Sequence, residues 1–133
     1  MEFKKLNITE NQYIAYNKFT PKLQSPSSKV TVIFLSGFMS DMQGSKALFL
    51  EELAQQLSFP FIRFDYFGTG LSSGKFTENN ISTWKENTLS VINNLVETDQ
   101  VILVGSSMGG WLMNLVALDL AKQNKAGKLH SLI

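Results

Sequence analysis

Val101-Ile102-Leu103-Val104-Gly105-Ser106-Ser107-Met108-Gly109-Gly110-Trp111 reads as a buried strand, a sharp turn of small residues and the start of an apolar helix. Within it, Gly105-Ser106-Ser107-Met108-Gly109 has the spacing G-x-S-x-G, in which a strand-to-helix turn pushes a serine hydroxyl out at the edge of a sheet. The frame selects Ser107, because Ser106 has Val104 and Met108 two residues to either side and lacks the flanking glycines. The requirement is steric: a residue held on a strained turn crowds its flanks, and glycine has no Cβ to crowd. Directly after an aliphatic run and directly before a helical pattern, the five residues stand in the context that the motif demands.

Outward from that turn, the 133 residues read as a single domain, 1–133, with hydrophobic residues at 44% and charged ones at 17%, within the ordinary range of globular proteins. The formal net charge is +1 and the basic residues are scattered, so no face is marked for nucleic acid or an anionic membrane. There are no cysteines, which excludes disulfides and thiolate metal sites. The start, Met1-Glu2-Phe3-Lys4-Lys5-Leu6-Asn7, lacks the apolar run of a secretory signal, and no stretch reaches the length of a membrane span, so a cytoplasmic location is expected.

Upstream, residues 3–8 and 13–19 alternate apolar and polar around Asn11-Gln12 and predict a hairpin of half-exposed strands. A polar loop with Pro21, Pro26 and several serines follows, and then residues 30–35 form a continuous β-branched and aromatic run, suited to a strand covered on both faces. Leu50, Leu53, Ala54 and Leu57 recur at helical spacing and predict a helix with that face buried. Residues 61–66 predict another strand, and its exit holds Gly68, Gly70 and Gly74. A phosphate-cradling loop would end in Gly-Lys-Ser/Thr leading into a helix; that ending is missing, so the glycines are read as a turn over the sheet. Ile81, Trp84, Thr88, Val91, Ile92 and Leu95 share one side of the next helix, which puts Trp84 against the sheet. The helix after Ser107, through about Gln123, is apolar nearly all round, as expected of a buried helix, and residues 128–133 begin a further strand.

Alternating strands and helices predict an α/β fold: a mostly parallel sheet with helices on both faces and an N-terminal antiparallel hairpin. Ligands bind beyond the carboxyl ends of such strands, where the turn after Leu35, the glycine loop and the turn at Ser107 all lie.

From about Lys29 onward the chain resembles the α/β-hydrolase superfamily of serine hydrolases, in its branch of small esterases and acyl-protein thioesterases. The resemblance rests on Ser40-Asp41-Met42 with Gly44 and Lys46-Ala47-Leu48, Arg63-Phe64-Asp65-Tyr66 with Gly68 and Gly70, Ile81 with Trp84, and residues 104–111. It implies that Ser107 is the nucleophile, Gly37, Gly105 and Gly109 are motif glycines, and the backbone N–H groups of Phe38 and Met108 form the oxyanion hole. It implies no cofactor or metal, and a small acyl ester or thioester as substrate. Where the family commonly has His-Gly, this chain has Ser36-Gly37. Phe38, Met39 and Trp111 either line an acyl pocket or pack in the core.

A serine hydroxyl needs a histidine to take its proton and an acid to orient that histidine, in the chain order serine, acid, histidine. After Ser107 come only Asp119 and His130. Asp119 is twelve residues along the helix, roughly 18 Å from the reactive edge, and reads as a solvated carboxylate near Lys122. His130 falls early in the last strand, at the opposite edge of the sheet. Asp41 and Asp65 precede the serine and read as structural. The triad acid and histidine are therefore unassigned, and the chain reads as a C-terminally truncated hydrolase with an apolar edge strand and one face short of a helix. A complementing chain or self-association through that edge is expected. Two function classes follow: a serine esterase or thioesterase, active alone or when complemented, and a catalytically inactive remnant that only binds. A nucleotide-binding domain is the third, and it lacks its phosphate loop.

Overall fold

In a computed structural model the described residues are 2–133; Met1, the first residue of the predicted domain and chain start, lies outside them. Six strands, β1 (Lys4–Asn7), β2 (Tyr13–Phe19), β3 (Val30–Leu35), β4 (Phe61–Phe64), β5 (Gln100–Gly105) and β6 (Leu129–Leu132), form one sheet in the order β1-β2-β4-β3-β5-β6. β1 pairs antiparallel with β2 and β2 with β4, whereas β3 pairs parallel with both β4 and β5, and β5 with β6. The predicted hairpin and mostly parallel sheet are thus both present.

Strand alternation divides the core into two layers. Ile33 and Leu35 of β3 with Val101 and Leu103 of β5 belong to the larger cluster, which includes residues of α2 (Ile81–Leu95) and α3 (Met108–Lys122). Phe34 of β3 and Phe61 of β4 face α1 (Ser45–Leu57) on the other side, where Ala47 and Ala54 supply the contact. Asn80 caps α2 by accepting the Thr83 N–H at 3.1 Å, satisfying one of the free donors of its first turn. Trp84 is 6% exposed and donates its indole N–H to the Phe67 carbonyl at 3.0 Å, in agreement with its predicted place against the sheet.

Two burial expectations are corrected. In α1, Ala54 is buried, but Leu53 and Leu57 are exposed and Leu50 only partly covered. The helix rests on its alanines, with Leu50 packed partly against the same cluster, and Leu53 and Leu57 face away from it. In α3, only Gly109, Leu112, Val116 and Leu120 are buried, while Trp111 and Leu118 are 57% and 60% exposed. α3 has the sheet beneath it and α2 beside it, and among the described residues no element covers its remaining apolar side. The β6 edge is likewise unpaired among the described residues, with His130 and Leu132 exposed.

Candidate active site

The turn at the end of β5 reverses the chain in two residues, Ser106 and Ser107, before α3 begins. Ser107 takes φ 56° and ψ −117°, a conformation that a residue with a Cβ holds only when its surroundings enforce it. The enforcement is visible in the backbone: the Gly109 N–H donates to the Ser106 carbonyl at 2.9 Å, and the Gly110 N–H to the Ser107 carbonyl at 2.9 Å. The glycines have the steric role predicted for them. A Cβ on Gly105 would lie 2.4 Å from the Gly109 carbonyl oxygen, and one on Gly109 2.0 Å from that of Leu35. Ser107 is exposed at the top of this packing.

The loop after β3 meets the turn. A Cβ on Gly37 would stand 3.1 Å from the Ser106 carbonyl oxygen and 3.5 Å from the Ser107 Cβ, so Gly37 lets the two segments touch. Residues 37–40 form a turn, the Ser40 N–H donating to the Gly37 carbonyl at 3.1 Å with Met39 at φ 58°. Among the described residues neither the Phe38 nor the Met108 N–H donates to a protein acceptor. Phe38 and Met39 are 59% and 75% exposed, which with exposed Trp111 removes the core-packing alternative for all three. The Phe38 ring meets Phe76 edge-on at 5.5 Å, and Phe76 in turn lies 5.4 Å from Trp84.

Three residues at the exit of β4 hold this loop from below. The buried Asp65 carboxylate accepts the Met42 N–H at 2.8 Å and the Leu71 N–H at 2.9 Å. Arg63 donates to the Met42 carbonyl at 3.1 Å and pairs with Glu51 of α1 at 2.9 Å. Tyr66, whose hydroxyl pKa burial pushes far up, donates to the Ser36 carbonyl at 2.9 Å. The predicted structural reading of Asp65 agrees with this geometry; the parts played by Arg63 and Tyr66 were missed. Their signal was an arginine and an aspartate inside an otherwise apolar strand, since buried charge requires partners. Gly70 closes on Asp65 so tightly that a Cβ would overlap the carboxylate, and Ser72 and Ser73 accept the Ala15 and Tyr13 N–H groups at 2.8 Å each. The glycine loop is therefore a tie between β4 and β2, with its centre filled by a carboxylate, as befits a turn and not a phosphate cradle.

Desolvation is the largest influence on Asp65 and raises its pKa, with the Leu71 and Met42 N–H groups opposing it. A folded-state value above the unfolded one means that stability from this group is full below about pH 4 and is lost as pH rises through the folded value. Relative to Asp65→Asn, the wild type should lose stability as the pH is raised above about 4 in urea titrations; a relative gain on raising the pH would refute the reading. Ser36 Oγ, in place of the family's usual histidine, is buried with no hydrogen-bond partner. Ser36→Ala should consequently raise stability by about 1 kcal/mol, measured by thermal unfolding.

The two late candidates lie away from Ser107. Asp119 is paired with Lys85 of α2 at 2.9 Å, not with Lys122, and the Lys85 ammonium holds its carboxyl below the ordinary value. On β6, Leu129 is opposite Val101 and Ser131 opposite Ile102, which places His130 roughly 12 Å below Gly105 along the strand direction. His130 Nδ1 is 2.7 Å from Ser131 Oγ. Asp41 accepts the Gln43 N–H at 2.8 Å in a local turn. Lys46, which the sequence did not single out for a role, donates to Ser106 Oγ at 3.0 Å. It flanks a recess of about 220 Å³ formed with Gly37, Ser40 and Ser45. Among the described residues no group of three or more His, Cys, Asp or Glu side chains could hold a metal ion.

Residues 3–122 match the sequence model of a family described as acyl transferase. The chain is 49% identical over 82 residues to the mitochondrial palmitoyl-protein thioesterase ABHD10 of Bos taurus, covering 62% of this chain and 26% of the relative. It is 44% identical over 108 residues to the Homo sapiens protein of the same name, covering 81% and 33%. The solved structure of alpha/beta hydrolase domain-containing protein 10 from mouse superposes with a TM-score of 0.83 at 35% identity, over 99% of this chain and 48% of that one. The fold is that of the α/β-hydrolases, and the chain spans about a quarter of the length of the bovine relative, a third of the human one and about half of the mouse structure. No helix among the described residues is long and apolar enough to cross a membrane.

Proposed function

The chain belongs to the acyl transferase family whose sequence model it matches over residues 3–122, and from that premise we propose that it is the nucleophile-bearing part of a serine esterase or thioesterase. One observation carries the proposal: an exposed serine sits in a strained turn in contact with the Gly37 loop, and the N–H groups of the residues that follow each, Met108 and Phe38, have no acceptor among the described residues. Ser107 Oγ attacks the acyl carbonyl, the two N–H groups receive the developing oxyanion, and the alcohol or thiol departs to leave an acyl-serine that water hydrolyses. The printed activity of the relatives, palmitoyl-protein thioesterase, supports an acyl ester or thioester as substrate.

Neither Asp119 nor His130 is positioned to activate Ser107, so this reading requires a base and an orienting acid supplied from outside residues 2–133, beside the unpaired β6 edge. The expected cytoplasmic location stays part of the proposal; the relatives are mitochondrial by name, and imaging the tagged chain against both compartments decides it. A second reading, acyl transfer to an acceptor other than water, is favoured by the family's description and uses the same acyl-serine.

The test is labelling of the full chain by a fluorophosphonate, alone and in cell extract, with Ser107→Ala as control. Labelling that disappears in the variant supports the proposal. Absence of any Ser107-dependent labelling in both settings sinks it in favour of the inactive remnant.

A further inference from the structure

We propose that Phe76 is a positioning residue for the reacting serine, acting through Phe38 to hold the turn of residues 37–40 against Ser107; its effect on reactivity rests on Ser107 as the nucleophile. Gly37 is the point where this turn meets the serine, a Cβ there falling 3.5 Å from the Ser107 Cβ. The residues on its two sides are braced differently. Ser36 is held by its carbonyl, which accepts the Tyr66 hydroxyl at 2.9 Å. Phe38 is held by its ring, which meets that of Phe76 edge-on at 5.5 Å and 71°. Both braces lean on one indole, since Trp84 lies 6.1 Å from the Tyr66 ring and 5.4 Å from the Phe76 ring.

The turn needs such a brace. Met39 stands at φ 58°, a conformation that a residue with a Cβ keeps only when its surroundings hold it there, and the turn is closed by the Ser40 N–H to the Gly37 carbonyl at 3.1 Å. An edge-to-face partner gives the half-exposed Phe38 ring one preferred direction. Phe76 can supply it because Phe76 is itself fixed. The backbone at Gly68, φ 77°, approaches the Lys75–Phe76 peptide so closely that a Cβ would lie 2.6 Å from the Lys75 carbonyl oxygen. That carbonyl also accepts the Asn79 side-chain N–H at 2.7 Å and the Glu78 N–H at 3.0 Å. Behind Phe76, Trp84 is buried and bonded to the Phe67 carbonyl. Movement of the Phe38 ring toward Phe76 is thus resisted by the core of the domain and not by a free loop.

The test is amide hydrogen exchange of the full chain by NMR, read at Ser40, whose N–H closes the turn, with Gly44 as internal control because its N–H closes the next turn onto Asp41. Phe76→Leu keeps an apolar side chain but removes the ring. It should speed exchange at Ser40 about fivefold, the worth of one aromatic pair expressed as an equilibrium constant, and leave Gly44 unchanged. Phe76→Tyr, which keeps the ring, should restore the wild-type rate. In a Phe38→Leu background Phe76→Leu should change nothing further, because its route to the turn is gone. Equal acceleration at Gly44, an unprotected Ser40 amide in the wild type, or an undiminished effect in the Phe38→Leu background overturns the proposal. Fluorophosphonate labelling then separates it from the proposed activity. In a chain that labels, Phe76→Leu should slow the reaction about tenfold, part of what losing a whole oxyanion donor costs, and Phe76→Tyr should restore it; labelling at the wild-type rate in Phe76→Leu overturns the positioning role. The expected exchange pattern in a chain that never labels refutes the activity and leaves the brace standing.

Discussion

Gly109→Ala should leave the chain without a cooperative unfolding transition, even though alanine is the better helix former by up to about 1 kcal/mol. The added Cβ would lie 2.0 Å from the Leu35 carbonyl oxygen and 2.9 Å from that of Ser36, both backbone atoms with no rotamer to change. Relief requires lifting α3 from the end of β3, which opens the Ile33, Leu35 and Leu112 contact and pulls Ser107 away from Gly37. The cost should exceed about 4 kcal/mol, at the extreme of single substitutions and comparable to the whole stability of a small domain. Gly110→Ala is the internal control. Its Cβ would meet nothing nearer than the Gly105 carbonyl oxygen at 3.8 Å, so helix propensity should prevail with a gain of up to about 1 kcal/mol. Urea unfolding of the pair checks both signs; equal stability of the two variants would refute the packing argument.

Glu51→Ala should cost about 3 kcal/mol, because it strands the Arg63 guanidinium. The Arg63 and Glu51 side chains are 11% and 19% exposed and meet at two pairs of atoms, 2.9 and 3.3 Å apart. Removing the carboxylate leaves a positive charge with little water, one remaining hydrogen bond to the Met42 carbonyl and only the Asp65 charge nearby to balance it. A buried pair broken on one side loses far more than the pair contributes intact, so replacing both residues by apolar ones, Glu51→Leu with Arg63→Met, should recover most of the loss. The double variant should still alter the site, since the Arg63 hydrogen bond to Met42 anchors the loop that carries Gly37 and Phe38. Stability recovered with slower fluorophosphonate labelling would separate these two roles. A Glu51→Ala loss below about 1 kcal/mol would show that solvent screens the pair.

The elements of the sheet were legible because each is short, periodic and punctuated. β3 is a β-branched and aromatic run and β5 an aliphatic one, each followed by a turn of small residues. The candidate site was legible where it is local: Gly105, Ser107, Met108 and Gly109 lie within five residues. Gly37 and Phe38, on another loop, were reached through family resemblance alone. What escaped notice is non-local. Tyr66 bonds the Ser36 carbonyl across thirty residues and Arg63 meets Glu51 across twelve. The sequence places Asp119 near Lys122 on its own helix, and that charge does act on it, but its ion-pair partner, Lys85, belongs to a different helix.

By itself the sequence determined the turn at Ser107 and the succession of strands and helices, because backbone sterics and the alternation of apolar side chains act over a few neighbouring residues. Only the tertiary structure decided which apolar stripes are covered. Periodicity places Trp111, Leu115 and Leu118 on one face of α3, and Leu50, Leu53 and Leu57 along α1, but burial depends on whether another layer lies over that face. Ala47 and Ala54 bring α1 down on the sheet, α2 flanks α3 on one side, and the remaining stripes stay open beside the serine and the β6 edge.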